Sequence, residues 1–169
     1  MTVAEEVAAY LGEHCPVVFG IVGAGNLSIF DAIARLGKTE VVCCHHEQAA
    51  VMSAGAYYRV SGVVSVALVT TGAGSSNALT GVLSASMDSI PVVIIAGNEA
   101  STWPNVGRAR GVQGYDSGLV ASPMVKRAWT MAEGAPYLHM IQHSFALAKH
   151  GRPGPVWLTI PMDIASAAA

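Results

Sequence analysis

At 169 residues the chain suits one domain with length for a sizeable core. Its composition is 52% hydrophobic and only 12% charged, with a mean hydropathy of +0.46, which is apolar for a soluble domain of this size. A net charge of −2 with scattered basic residues argues against nucleic acid or an anionic membrane surface as a partner.

The first thirteen residues carry Glu5, Glu6 and Glu13 and no basic residue, unlike a signal peptide, and their periodicity predicts a helix over Val3–Glu13. A strand follows at Val17–Ile21. It runs into Gly20-Ile21-Val22-Gly23-Ala24-Gly25-Asn26-Leu27-Ser28, which opens a helix at Leu27–Leu36. That order invites a dinucleotide-binding reading, but Ser28 stands at the third glycine and a single degenerate match is weak. The next strand, Val41–His45, includes Cys43-Cys44-His45-His46. Alternation along a strand sends Cys43 and His45 to one face and Cys44 and His46 to the other, so one metal ion cannot collect them. Three cysteines, two of them adjacent, suggest the reduced thiols of a cytoplasmic protein rather than a disulfide framework.

Glu47 opens a small-residue helix over Glu47–Val60. Alone it reads as a carboxylate favoured by the helix dipole. Its neighbours Ala49, Ala50, Ala54, Gly55 and Ala56 would let another backbone approach closely, and a carboxylate beside such an interface is desolvated. From Val60 to Met87 there is no charged residue. A membrane span there would leave the glycines, serines and Asn77 unpaired in lipid. Two buried elements, a strand at Val63–Thr70 and a helix at Ser75–Ser86, joined by Thr71-Gly72-Ala73-Gly74, fit better. This turn lacks the lysine of a phosphate-binding P-loop and suits close approach to a flat ring.

The remaining predicted elements are a strand at Val92–Ala96, a long loop over Asn98–Ser122 with Pro104, Gly107, Gly111, Gly114 and Gly118, a strand at Val125–Met131, a helix at Pro136–His150, a strand at Val156–Ile160, and a frayed Ala/Ser tail over 165–169. Strands apolar on both faces alternating with helices specify an α/β fold, doubly wound, with about six parallel strands and helices on both faces. Ligands bind beyond the carboxyl ends of such strands. Gly23, Glu47, Gly72–Asn77 and the long loop therefore converge on one edge.

His46-Glu47-Gln48-Ala49-Ala50, Thr70-Thr71-Gly72-Ala73-Gly74-Ser75-Ser76-Asn77-Ala78, Met87-Asp88-Ser89-Ile90-Pro91, Gly151-Arg152-Pro153-Gly154-Pro155 and Ile160-Pro161-Met162-Asp163 resemble the pyrimidine-binding domain of thiamine-diphosphate enzymes, most strongly acetolactate synthase and its relatives. The resemblance implies one pyrimidine-binding domain over 1–169 with the thiamine-diphosphate-binding fold. It implies that Glu47 is catalytic: it hydrogen-bonds N1′ of the aminopyrimidine and favours the imino tautomer that deprotonates the thiazolium. Gly72, Ala73, Asn77, Val22 and Gly23 would contact the cofactor, while Ala24, Thr70 and Gln113 would lie near a small 2-oxo acid substrate.

Two departures loosen the pattern, since the family usually has proline at Val22 and at Ala73. Histidines that simple decarboxylases of this superfamily often place near the reacting carbon are also missing between His46 and His139, which favours transfer to a carbonyl acceptor over release of an aldehyde. Full-length members of the family hold the diphosphate and a divalent metal through a second domain with a Gly-Asp-Gly motif. No such tripeptide occurs here, so the resemblance implies that Mg2+ and the diphosphate would be held by a separate diphosphate-binding subunit in a hetero-oligomer, α2β2 or higher, with no metal ligand from this chain. Sulfopyruvate decarboxylase is an example of such a split enzyme. The alternatives are a decarboxylase subunit of the sulfopyruvate or phosphonopyruvate type, and a non-catalytic interaction domain that retains the fold.

Overall fold

The computed structural model describes residues 1–102 and 111–169. One sheet is built from β1 (Val17–Gly20), β2 (Glu40–Cys43), β3 (Val66–Val69), β4 (Val93–Asn98), β5 (Ala128–Thr130) and β6 (Val156–Pro161). The strands lie in the order β2-β1-β3-β4-β6-β5 and every pairing is parallel. Helix α1 (Val3–His14) precedes the first strand and α8 (Met162–Ser166) follows the last, and each crossover between strands contains helix: α2 (Leu27–Leu36), α3 (Glu47–Ser61), α4 (Ala73–Asn77), α5 (Leu79–Met87), α6 (Ser117–Ala121) and α7 (Tyr137–Lys149).

The two-residue alternation of the central strands decides which layer each side chain joins. Val66, Leu68, Val93, Ile95, Val156, Leu158 and Ile160 pack with residues of α1, α2 and α7. Ala67, Val69, Ile94, Ala96 and Trp157 pack on the opposite face with Ala50, Val51, Ala54, Val82 and Ala85. The second layer is built largely of small side chains. At Gly81 a β-carbon would lie 2.8 Å from Val51 Cβ and 2.9 Å from the Gln48 carbonyl, so α3 and α5 touch nearly backbone to backbone.

Local signals set the helix ends. Thr2 and Glu5 form a reciprocal capping box on α1, and Gly37 and Gly62 end α2 and α3 in the left-handed conformation. Four expectations shift. The strand predicted to reach His45 stops at Cys43, because His46 turns out of the sheet to cap α3. The helix predicted over Ser75–Ser86 begins two residues earlier and divides into α4 and α5 at Ala78. The long loop contains α6, while its residues 103–110, Pro104 and Gly107 among them, lie outside the described residues. The tail expected to fray is tied down by its main chain: Ala169 N–H donates to the Met1 carbonyl at 3.0 Å, Val3 N–H donates to the Ala167 carbonyl at 3.0 Å, and Thr2 bridges Ala168. No helix among the described residues is long and apolar enough to cross a membrane.

The chain leaves β1 outward to β2 and returns to β3 on the other side of β1. The reversal opens a crevice above the carboxyl ends of β1 and β3, the position where open α/β sheets take ligands.

Candidate functional site

Glu47 stands at that crevice as the first residue of α3. His46 precedes it in an extended conformation, and its Nδ1 accepts from the Gln48 N–H at 3.2 Å, so the imidazole serves as the helix cap. Glu47 is only 7% exposed. The positive helix end favours its anion, but a carboxylate this far from water also needs hydrogen-bond donors. Asn77, at the end of α4, supplies one from Nδ2 to Oε2 at 3.1 Å. Oε1 takes no hydrogen bond among the described residues and faces the bare α-carbon of Gly74, where a β-carbon would lie 3.1 Å away. One oxygen is held and the other is left for a donor from a ligand.

The turn before α4 supplies the adjoining wall. Gly72 has φ +63 and ψ −117, a conformation that excludes ordinary side chains. The Gln113 side chain covers it, with Cγ 2.4 Å from where a β-carbon would sit, and Gln113 Oε1 accepts from the Ala73 N–H at 3.4 Å. Proline at Ala73 would have no N–H to offer. The loosening expected from its loss is met by the Gln113 contact, which holds the turn from outside. Ser75 is buried, and its hydroxyl lies 2.9 Å from the Gly72 carbonyl and 3.0 Å from the Tyr115 hydroxyl. A serine hydroxyl has one proton. When it is donated to Gly72, Tyr115 donates to Ser75 and the three groups form a chain.

Thr70, at the end of β3, joins this turn to the loop after β1. Its Oγ1 accepts from the Gly25 N–H at 3.2 Å. Its side chain fills the space beside Gly23, and its Cγ2 lies 2.6 Å from the β-carbon position of Gly74. Asn26, fully buried, accepts from the Gly23 N–H at 2.8 Å and donates to the Ile21 carbonyl at 3.0 Å. A β-carbon at Gly25 would fall 2.0 Å from Thr71 Oγ1, a buried hydroxyl with no hydrogen-bond partner among the described residues, and one at Gly97 would fall 2.3 Å from the Gly25 backbone.

Glu47, Asn77, Gly74 and Thr70 thus meet at one point, with Gly72, Ala73 and Gln113 along one side and Gly23 behind Thr70. Val22 and Ala24 are exposed at the lip of the β1 loop and make no polar side-chain contact. Asn26, Ser75 and Tyr115 are positioning residues that pattern reading passed over. Asn26 carried a local signal, an asparagine closing a glycine loop, whereas the Ser75–Tyr115 contact joins residues 40 positions apart. In the Cys43–His46 run, burial pushes the Cys44 thiol up, against an opposing backbone hydrogen bond from Gly20, and Cys43 raises it further. At the far end of the same edge, Asp163 accepts from Ser101 N–H at 2.9 and 3.0 Å, from Ser101 Oγ at 2.7 Å and from its neighbour Ile164 at 3.0 Å. Burial raises its pKa, but these hydrogen bonds outweigh it and hold the carboxyl below the usual aspartate value.

A sequence model of the family described as "Thiamine pyrophosphate enzyme, N-terminal TPP binding domain" matches residues 1–116. The chain is 40% identical over 151 residues to the acetolactate synthase large subunit of Haemophilus influenzae, covering 89% of this chain and 26% of that protein. It is 38% identical over 158 residues to the acetolactate synthase isozyme 3 large subunit of Escherichia coli, covering 94% and 27%. A third relative, the acetolactate synthase large subunit of Lactococcus lactis, is 31% identical over 150 residues, covering 89% and 26%. The chain spans about a quarter of the length of these curated relatives.

Proposed function

The chain belongs to the thiamine pyrophosphate enzyme family through its N-terminal TPP-binding domain, and on that premise we propose that it is the pyrimidine-binding component of a two-component enzyme that decarboxylates a 2-oxo acid and transfers the acyl unit to a carbonyl acceptor. The relatives' name, acetolactate synthase, supports this chemistry. Thiamine diphosphate, when bound, supplies the electron sink that decarboxylation requires.

The observation that carries the reading is the Glu47 carboxylate, buried at a helix start with Oε2 held by Asn77 and Oε1 turned toward the bare face of Gly74. In this reading Oε1 is the oxygen that exchanges a proton with a ring nitrogen, and Asn77 fixes which oxygen is offered. Ala73 and Gly74 bring no long side chain of their own to that face, so that a flat ring can approach, while Gly72, covered by Gln113, turns the chain beside it. Gly23 and Val22 border the cofactor, while Ala24, Thr70 and Gln113 lie on the substrate side. Asn26, Ser75 and Tyr115 hold these loops to shape and leave the carboxylate free for its ligand.

The diphosphate and its Mg2+ belong in this reading to a separate diphosphate-binding subunit, in a hetero-oligomer of α2β2 form or higher. Among the described residues no group of three or more His, Cys, Asp or Glu gathers to hold a metal. The surface over α3 and α5 suits such a partner. Met52, Leu83 and Met87 are exposed there beside a cavity of about 190 Å3 lined by Val51, Gly55, Ala56, Gly81 and Ala85. Three free cysteines fit a cytoplasmic setting.

The test pairs the chain with its diphosphate-binding partner, recognisable by co-purification and a Gly-Asp-Gly motif followed by asparagine. Glu47→Gln should retain cofactor binding yet slow turnover of a 2-oxo acid by roughly 10²–10⁴, the scale of lost general acid–base catalysis. Unchanged turnover removes Glu47 from the mechanism. Product analysis from pyruvate should give an acetohydroxy acid or acyloin. Free aldehyde alone would instead establish the simple decarboxylase, and absence of turnover with bound partner the non-catalytic domain.

A further inference from the structure

Helix α7 lies on the opposite layer of the sheet from Glu47 and carries two histidines four residues apart, His139 and His143, both exposed. Residues spaced i and i+4 stand one above the other on a helix face. Their rings are 5.9 Å apart between centroids and inclined by 55°. The helix beneath them is fixed, because Tyr137, Ile141, Ser144, Phe145 and Ala148 of the inner face are buried. The His143 ring is also backed by the Trp129 indole, at 5.3 Å and 48°. Glu133, just before α7, lines the same groove as His139 and contributes negative charge on that side, while the Arg127 guanidinium lies over the Trp129 ring, 6.0 Å from its centroid.

We propose that His139 and His143 form a bidentate site for a borderline divalent transition-metal ion, Ni2+ or Zn2+, separate from the cofactor crevice. Imidazole is a preferred ligand for these ions. Two imidazoles sharing one ion at metal–nitrogen distances of about 2.0–2.1 Å place their centroids roughly 5 Å apart. The observed 5.9 Å therefore closes by a small χ adjustment of exposed side chains, with no movement of the helix. No third protein ligand gathers among the described residues, so water completes the coordination shell and the site stays open. The second imidazole binds at the high effective concentration set by the helix, which separates this pair from a lone surface histidine.

The test is a calorimetric titration of the chain with NiCl2 in a non-chelating buffer, chosen over Cu2+ because Cys43 is an exposed thiol. The wild type should bind Ni2+ at micromolar to submillimolar concentration, and thermal unfolding should shift upward with the ion. His139→Ala and His143→Ala should each weaken binding about tenfold or more and lose the thermal shift. The double variant His45→Ala/His46→Ala should bind as the wild type does. His139→Asn, which keeps a polar exposed side chain at the position, should repeat the loss. Wild-type affinity in His139→Ala, or no binding by the wild type below millimolar Ni2+, overturns the site.

Discussion

Replacing Gly74 by alanine would add one methyl group at the centre of the crevice, and its cost can be worked from the neighbours. The new carbon would stand 2.6 Å from Thr70 Cγ2 and 3.1 Å from Glu47 Oε1. The first distance lies far inside the ~3.5–4.0 Å of a good carbon–carbon contact. Thr70 has nowhere to retreat, since Gly23 is pressed against its other side and Gly25 N–H holds its Oγ1. Overpacking of this kind costs about 1–3 kcal/mol, offset by roughly 0.5–1 kcal/mol for replacing a glycine within a helix. Gly74→Ala should therefore destabilise by about 1–2 kcal/mol, a fall in Tm of roughly 3–6 °C for a chain of this size. Thr70→Ser removes the offending methyl and keeps the hydroxyl, at a cost of about 1 kcal/mol. Thr70 Cβ lies at an ordinary 3.5 Å from the new carbon, so in the serine background the alanine should become nearly neutral. Urea unfolding of the four proteins measures the coupling, which should reach about 1–2 kcal/mol in favour of the double variant. Strict additivity within about 0.5 kcal/mol would refute the steric argument.

Gly72→Ala carries a different penalty, because its backbone angles and the overlying Gln113 both exclude a side chain; it should cost at least about 2 kcal/mol in the same unfolding assay, and Gln113→Ala should relieve only the steric share. Asp163 titrates below its ordinary value in the folded chain, so the stability it contributes is complete above the ordinary aspartate pKa of 3.8 and is lost as pH falls through its lowered folded value. Asp163→Asn should therefore flatten the acid limb of a Tm-versus-pH profile between those two values while leaving the slope near neutral pH unchanged; an acid limb equal to the wild type's would show that Ser101 does not hold the carboxylate in solution.

The layered sheet was legible because its signal is local and repeated. Val66 to Val69 and Val93 to Ala96 are apolar at every position, which a strand needs only when both of its faces are covered. Glu47 was legible because a carboxylate stands out in an apolar, small-residue setting. What escaped depends on partners remote in sequence or on main-chain groups alone. The Ala/Ser tail reads as frayed by side chain, yet its N–H and carbonyl groups pair with residues 1–3. His46 continues the chemical pattern of its strand, and nothing in the pattern says that its imidazole is taken by the next helix.

The glycines divide along the same line and decide between two readings of the β1 loop. Gly23, Gly25 and Gly97 resemble a ligand-cradling set, but each β-carbon position is already filled by Thr70, by Thr71 or by another glycine's backbone. Their smallness serves contact between protein segments, which removes the physical basis of a dinucleotide fingerprint there. Gly74 shares the Thr70 contact, at 2.6 Å from Cγ2, but its β-carbon position also lies 3.1 Å from Oε1 of Glu47, the carboxylate oxygen that the described residues leave without a donor. A side chain at Gly74 would therefore press on Thr70 and also cover an acceptor that has no donor among the described residues, and in the proposed function that acceptor is the one offered to the cofactor.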